Sequence, residues 1–254
     1  MREISFRFSA GRGRRSDARR MAAMALGIAT LLLFGGCSAL PIRYSLAKYQ
    51  PANIYRQTDL LPPKLHRVAV LPLTVLVSTP WLEAGEETLY PVILTELQKA
   101  RRFEVVTVTP EQLEQWTGRK AWKAGEALPE DFFQKIYRGA GTDAVLFSQL
   151  THCQPYPPLE LGWRFNLVAN TSPTREVFPG PVAPDFLREH GGILWSADEI
   201  FNAGVPSVAR GAKAYMADNG QNTAPLADST SVLSSPVQFG QYTLSTLFAT
   251  LPAR

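Results

Sequence analysis

The feature that most constrains how this chain can fold is a short apolar stretch, residues 21–36, which ends immediately before Cys37. It contains sixteen apolar or small residues broken only by Thr30, whereas a membrane-spanning helix needs about 20. Seven arginines and only two acidic residues precede it. A basic head followed by a short apolar segment is typical of a secretory signal peptide. We therefore expect residues 1–36 to be removed, and the fold to be built from the rest of the chain.

This segment also accounts for the basic charge of the chain. The whole sequence has 26 basic and 22 acidic residues, a formal net charge of +4. Because seven of the basic and two of the acidic residues lie within residues 1–36, the charges of the remainder nearly cancel. Composition therefore does not support a nucleic-acid surface on the folded part, and we predict no nucleic-acid partner.

The residues at the end of the apolar stretch, Leu33-Phe34-Gly35-Gly36-Cys37, resemble the lipobox of bacterial lipoproteins. The resemblance implies cleavage between Gly36 and Cys37 and acylation of Cys37, although Phe34 departs from the leucine that the family prefers. Ser38 resembles an outer-membrane sorting signal. The implied location is the periplasmic face of the bacterial outer membrane, held by N-terminal acyl chains. An ordinary signal peptide, or a membrane anchor with an incidental cysteine, is the other interpretation.

Residues 37–65 are expected to be the acylated cysteine and a tether, because residues 38–65 contain four prolines and no sustained hydrophobic period. The tyrosines of this segment leave a second interpretation open, in which it lies against the domain as an ordered arm. Residues 66–254 are then expected to form one periplasmic domain.

Hydrophobic periodicity predicts the elements of that domain. Strands are expected at 66–72, 103–108, 143–150, 161–167 and 192–201, and helices at 88–100, 110–116, 129–138, 205–217 and from 236 to about 251. Capping boxes are expected at 109–112 and 235–238, Pro91 in the first turn of its helix, and Gly139 at the end of the third helix. This order predicts an α/β fold with a single mixed sheet covered by helices.

The last two predicted strands are expected to pair antiparallel across a long loop, residues 170–191. A loop of that length in a domain is usually functional or mobile. It leads to an alternative function, a small-molecule-binding or transport-accessory protein with a cleft under this loop.

Several segments together resemble a group of bacterial envelope lipoproteins: residues 67–72, Arg102-Phe103-Glu104-Val105-Val106, the turn 139–146 and Gly192-Ile193-Leu194-Trp195-Ser196. The group includes the curli secretion lipoprotein CsgG, the penicillin-binding-protein activator LpoB and the N-terminal domain of TolB. The resemblance covers roughly residues 66–250. It implies a periplasmic protein-binding role in envelope assembly or export, not catalysis. The chain lacks the pair of extended alternating hairpins that would build a channel, which argues against pore formation.

No catalytic or metal-binding spacing is present in the sequence, and we expect no enzyme activity, cofactor or metal. The three histidines, His66, His152 and His190, are scattered, and His152 and Cys153 are expected to point to opposite faces of a strand. Cys153 is predicted to be a small buried residue and not a nucleophile.

Two further groups have structural interpretations. The glycines of the segment 139–141 follow a helix and precede a strand, the reverse of the order in a phosphate-binding loop. Asp198 and Glu199 are expected to lie at a solvated strand end and not to act as an acid pair.

The segment 153–159, Cys-Gln-Pro-Tyr-Pro-Pro-Leu, is the strongest candidate for an interaction surface. Prolines favour an extended backbone of low conformational entropy that could present a tyrosine. Tyr156, Pro157 and Pro158 are thus candidate partner-binding residues, and a rigid connector between two strands is the other interpretation. The expected function is that of a membrane-anchored, non-enzymatic protein-binding accessory whose partner is another envelope protein, with a homo-oligomer also compatible.

Overall fold

A mixed seven-stranded sheet organises the part of the chain that the structure, a computed structural model, describes: residues 49–123, 125–169, 192–219 and 231–254. The strands are β1 (Ile54–Arg56), β2 (Arg67–Val70), β3 (Thr74–Val75), β4 (Glu104–Thr107), β5 (Ala144–Gln154), β6 (Glu160–Ala169) and β7 (Ile193–Asn202). Their order is β1-β7-β6-β5-β2-β4, with β3 also paired to β5. The predicted single mixed sheet covered by helices is confirmed.

In the described ranges, five α-helices pack on the two faces of this sheet: α1 (Pro80–Ala100), α2 (Pro110–Thr117), α3 (Phe132–Ala140), α4 (Pro206–Asp218) and α5 (Pro236–Phe248). Buried residues of α1, α4 and α5 join the larger core on one face, and those of α2 and α3 form a smaller core on the other. Within the described ranges, no helix combines the length and the apolar composition that crossing a membrane requires.

The sheet has a parallel half and an antiparallel half. Strand β2 pairs parallel with both β4 and β5, whereas β5, β6, β7 and β1 form an antiparallel series. Strands β2 and β3 lie one after the other along the same edge of β5. The pairing of β6 with β7 confirms the predicted antiparallel pair, but the 170–191 loop between them lies outside the described residues.

Residues 49–65 lie on the domain as an ordered arm, the second of the two interpretations of this segment. Strand β1 pairs antiparallel with β7, and Leu61 and Leu65 are buried in the larger core. Farther along, the Leu61 amide donates to the Ala253 carbonyl at 2.7 Å, and the Ala253 amide donates to the Asp59 carbonyl at 2.8 Å. The packed unit thus begins before residue 66, while the predicted signal peptide, acylated cysteine and residues 38–48 lie outside the described residues.

Helix α1 begins eight residues earlier than the expected start at 88. Thr79 is its N-cap and accepts a hydrogen bond from the Leu82 amide at 3.4 Å, and Pro80 is the first helical residue. Pro91 therefore lies in the helix interior, and its expected place in the first turn was wrong. Pro91 is exposed and has no amide to donate within the helix, and the buried stripe of α1 continues on both sides of it.

Helix α3 ends at Ala140 with Gly141 as its C-cap, and the expected cap at Gly139 was wrong. Gly141 has the left-handed φ of 63° that suits glycine, and its amide donates to the Tyr137 carbonyl. Gly139 is still helical, and a Cβ there would lie 2.3 Å from the Trp116 ring. Its small size thus serves the packing of α3 on α2.

The two expected helix caps differ in completeness. Thr109 and Gln112 form the full reciprocal box at the start of α2. At the start of α5, Ser235 accepts a hydrogen bond from the Gln238 amide, but the Gln238 side chain accepts one from the Ser231 hydroxyl instead. The second box is thus one-sided. Helix α5 ends at Phe248, short of the expected 251, and Leu251 is buried beyond it.

Candidate interaction surfaces

The turn between β5 and β6 carries the sequence-predicted residues Tyr156, Pro157 and Pro158. The Pro157–Pro158 peptide bond is cis, and the Gln154 side-chain amide donates to the Pro158 carbonyl at 3.0 Å. The segment is thus a hydrogen-bonded connector of two strands, as one interpretation had it. Tyr156, at the tip of the turn, is nevertheless 63% exposed, as the partner-binding interpretation requires.

Tyr156 does not stand alone. Its ring meets that of Trp81 edge to face, with centroids 5.6 Å apart, and Trp81 is itself 54% exposed. Leu76 and Val77, between β3 and α1, are exposed as well, and the Leu76 amide donates to the Leu150 carbonyl near the end of β5. We call Leu76, Val77, Trp81 and Tyr156 the aromatic end. Several large exposed apolar side chains at one end of a domain are typical of a contact surface.

Sequence analysis missed Trp81, Leu76 and Val77. Because α1 was expected to start at 88, Trp81 fell in an unassigned segment. The signal was present, since Thr79 followed by Pro80 is a typical helix start. The buried stripe of α1 begins with Leu82 and Gly85, which leaves Trp81 on the outer side of the first turn.

The arm enters near the same end of the domain. Cys153, Leu161 and Phe201 lie side by side on β5, β6 and β7, and the Tyr49 ring packs on Phe201 with centroids 5.2 Å apart. Tyr156 lies three residues beyond Cys153. From strand spacing and rise, the entry point of the arm and the aromatic end are on the order of 15 Å apart.

Glu199 fixes the entry point of the arm. Its Oε1 accepts a 2.5 Å hydrogen bond from the Tyr49 hydroxyl, and its Oε2 accepts bonds from the Ala52 and Asn53 amides, each 3.1 Å long. Burial, followed by the hydrogen bond to Glu199 and its negative charge, raises the pKa of Tyr49. The expected solvated strand end is therefore wrong for Glu199, because the arm occupies its carboxylate.

Asp198 points to the opposite face of β7 and pairs with Arg164 on β6. The Arg164 Nε donates to Asp198 Oδ2 at 2.8 Å, and Nη2 lies 2.7 Å from the same oxygen. Both side chains are more than one third exposed. The two adjacent acids thus have separate structural partners and do not form an acid pair.

A β-bulge shapes this second face of the sheet. The register between β5 and β6 shifts between Leu150 and His152, so that Thr151 is the extra residue. The shift places His152 opposite Gly162 and Cys153 opposite Leu161, on the core side. A Cβ on Gly162 would lie 2.5 Å from Thr151 Oγ1, which explains the glycine.

We call His152, Glu160, Arg164, Asp198 and Ile200 the polar sheet face. His152 Nε2 lies 3.0 Å from Glu160 Oε2, and Ile200, opposite the buried Gly162, is 57% exposed. The face therefore combines an exposed aliphatic side chain with partly exposed polar and charged groups. A mixture of an apolar centre and a polar rim is common in protein interfaces.

The histidines and the cysteine, which are the remaining candidates for catalysis or metal binding, lie apart from one another where the structure describes them. His66 contacts the Arg254 side chain, and His190 lies outside the described residues. As expected, His152 and Cys153 face opposite sides of the sheet. Burial raises the pKa of the Cys153 thiol, which lowers its thiolate fraction. Among the residues that the structure describes, no group of three potential metal ligands is found.

A cleft of about 220 Å³ lies where α1 meets α4 and α5. Its buried carboxylate, Glu96, lies 2.6 Å from Lys99 Nζ and accepts a 3.3 Å hydrogen bond from the Tyr215 hydroxyl. Burial, and then the charge of Glu96, raise the pKa of Tyr215 to about 12. The carboxylate is thus satisfied by the protein itself.

No protein-family model matches the chain, and no curated protein matches it. Several solved structures are similar to it in part. A PelC dodecamer from Paraburkholderia phytofirmans is 12% identical and covers 80% of this chain and 99% of its own, with a TM-score of 0.39. Lipoprotein GNA1162 from Neisseria meningitidis is 14% identical over 62% of this chain and 97% of its own, with a TM-score of 0.37.

The hypothetical protein CT253 from Chlamydia trachomatis is 11% identical over 72% of this chain and 91% of its own, with a TM-score of 0.36. The neighbours thus include a lipoprotein and a PelC protein. At these TM-scores and sequence identities, the similarity does not show that this chain shares a role with any of those proteins. The resemblance to CsgG, LpoB and TolB stays a prediction.

Proposed function

We propose that this protein is a lipid-anchored accessory of the bacterial envelope that binds another envelope protein and catalyses no reaction. The observation that carries the proposal is the order of an arginine-rich head, sixteen apolar residues and Gly36-Cys37. Acyl chains on Cys37 contribute about 0.8 kcal/mol per buried methylene, so two or more of them hold a protein stably on a membrane. Ser38 favours the periplasmic face of the outer membrane.

The polar sheet face is the surface proposed for the protein partner. Its ion pair, Arg164 with Asp198, is partly exposed and self-contained, so a partner can approach without leaving either charge buried and unpaired. Ile200 supplies the apolar contact that a stable interface needs at its centre. The candidate residues Tyr156, Pro157 and Pro158 lie on the separate aromatic end, and their predicted role in protein binding stays a prediction.

Photo-crosslinking in living cells tests both parts of this proposal. A photoreactive amino acid replaces Ile200 in one variant and the exposed Tyr137 of α3 in the control. We expect position 200 to capture one envelope protein and position 137 to capture none. A product at a multiple of the chain's own mass would indicate a homo-oligomer instead.

The anchoring has its own control, Cys37→Ala. We expect this variant to lose its acyl chains by mass spectrometry, to leave the membrane fraction and to lose the crosslink at position 200. Unchanged membrane fractionation and acyl mass in Cys37→Ala would refute the lipoprotein proposal.

A second candidate function is small-molecule binding. The 170–191 loop that suggested it lies outside the described residues, but the Glu96 cleft offers a buried carboxylate beside Lys99 and Tyr215. A ligand with an ammonium group would have to displace Lys99. Ligand-dependent thermal stabilisation that Glu96→Gln abolishes would favour this function.

A further inference from the structure

We propose that the aromatic end rests on the lipid surface to which the protein is anchored, with Trp81 and Tyr156 in the headgroup region. This inference rests on the proposed membrane anchoring, but not on the proposed protein partner. In this arrangement the domain has a fixed orientation, because one defined end lies against the bilayer.

The proposed tether joins the domain close to the aromatic end. Eleven residues, 38–48, separate Cys37 from Tyr49, and a chain of that length spans at most about 40 Å. Tyr49 is fixed by Glu199 and Phe201, on the order of 15 Å from the aromatic end. An acylated Cys37 therefore keeps this end within reach of the bilayer.

The exposed side chains of the aromatic end are of types that favour a membrane surface. Tryptophan and tyrosine have an apolar body and a polar edge, and both are enriched where a membrane meets water. Leu76 and Val77 add purely apolar surface beside them. Exposed Leu60, by contrast, lies where the arm crosses Ala253, away from this end.

The charged groups near the aromatic end are of both signs. Glu83 and Glu86 lie in the first two turns of α1, close to Trp81 in the chain, and burial together with the charge of Glu83 raises the pKa of Glu86. The Lys123 ammonium donates to the Leu76 carbonyl at 3.1 Å and adds a positive charge. Because these two acids and one base leave no basic excess to attract anionic headgroups, the proposed surface is a zwitterionic lipid.

Quenching of tryptophan fluorescence by brominated lipid tests the proposal on the full chain. The protein is purified from membranes and reconstituted into phosphatidylcholine vesicles, with or without bromine on the acyl chains. Three of the five tryptophans, Trp122, Trp163 and Trp195, are buried in the domain, so the difference between the parent and Trp81→Phe isolates the emission of Trp81. We expect bromine to lower that emission roughly twofold or more.

The matched control moves the tryptophan to the other end of the domain. Tyr137 is 57% exposed near the end of α3, just before β5 begins, and the eleven residues of β5 span roughly 35 Å. We expect the emission added by Tyr137→Trp in the Trp81→Phe background to be the same with and without bromine. Added phosphatidylglycerol should weaken the quenching of Trp81.

Three results would overturn the proposal. Equal quenching of the parent and Trp81→Phe would show that Trp81 does not reach lipid. Full access of Trp81 to acrylamide in the water phase would show an exposed end. Protection from both quenchers would show that a protein, either a partner or a second copy, covers it.

Mass spectrometry of the same preparation reports separately on Cys37. A chain without acyl groups that is still quenched at Trp81 would refute the lipoprotein proposal and the tether argument with it, and would show that the aromatic end binds lipid without an anchor. An acylated chain in which Trp81 is not quenched would support the lipoprotein proposal and overturn the proposed contact of the aromatic end with lipid.

Discussion

The Tyr49 hydroxyl donates a 2.5 Å hydrogen bond to Glu199, joining the first described residue of the arm to a strand 150 residues away. The other oxygen of the same carboxylate accepts two backbone amides of the arm. One side chain of β7 thus satisfies three donors, and the entry point of the arm depends on it.

Glu199→Gln is expected to lower the free energy of unfolding by about 1–2 kcal/mol, because hydrogen bonds to a charged group are stronger than neutral ones. The matched control is Asp198→Asn on the opposite face, where an exposed ion pair contributes about 0–1 kcal/mol. Urea unfolding of both variants provides the measurement. Equal effects would mean that Glu199 does not hold the arm.

Gly162→Ala is expected to destabilise the fold by about 1–3 kcal/mol, the usual cost of overpacking. The new methyl would meet Thr151 Oγ1 at 2.5 Å and the His152 Cβ at 2.8 Å. Thr151→Ala in the same chain should restore part of the loss, because it removes the nearer of these atoms. Thermal unfolding of the two single variants and the double variant gives the coupling, and purely additive effects would contradict the bulge geometry.

The two glycines at the end of α3 are expected to respond to different compensating changes. Gly139→Ala brings a methyl into the Trp116 ring, whereas Gly141→Ala forces a left-handed backbone on alanine at a cost of about 1 kcal/mol. Trp116→Ala should therefore reduce the penalty of Gly139→Ala and leave that of Gly141→Ala unchanged. Denaturant unfolding of the three single variants and the two double variants tests this, and rescue of both glycine variants would show that the end of α3 is misplaced.

Alkaline pH is expected to destabilise the domain through its buried tyrosines. Burial raises the pKa of Tyr90 to about 12, and burial and Glu96 raise that of Tyr215 to the same value. Between the ordinary tyrosine pKa of about 10 and the raised one, the unfolded chain releases protons that the folded chain retains. The contribution of these tyrosines to the free energy of unfolding should therefore be level between pH 7 and 9 and fall from about pH 10 towards 12.

Urea unfolding between pH 7 and 11.5 measures this decline, and Tyr215→Phe should make it shallower. Below pH 9, Tyr215→Phe and the parent should show the same slope, which serves as the internal control. An identical decline in both above pH 10 would exclude Tyr215 as a source.

The elements that sequence predicted correctly have strong local signals. The strands β5, β6 and β7 are long and rich in apolar residues, and Thr109 and Gln112 form the cap that their spacing indicates. Strand β1 has no such signal, because it is three residues long and is stabilised by a partner about 140 residues later in the chain. Pairing at that separation is decided by tertiary packing, so local periodicity does not reveal it.

The candidate surfaces were only partly predictable for the same reason. Tyr156 stood out because prolines flank it, but its contact with Trp81 depends on where α1 starts and how it packs on β5. The polar sheet face depends on one extra residue, Thr151, which reverses the sides of His152 and Cys153 relative to regular alternation. A bulge of one residue leaves no clear mark in hydrophobic periodicity.

The backbone bonds between Leu61 and Ala253 also constrain the order of assembly. Residues 59–61 are synthesised before the sheet strands β2–β7, and Ala253 follows them in the chain by about 190 residues. The arm therefore lacks its closing contact until Ala253 has been made. A segment that is made early is thus fixed only after the helices and strands between the two have been synthesised.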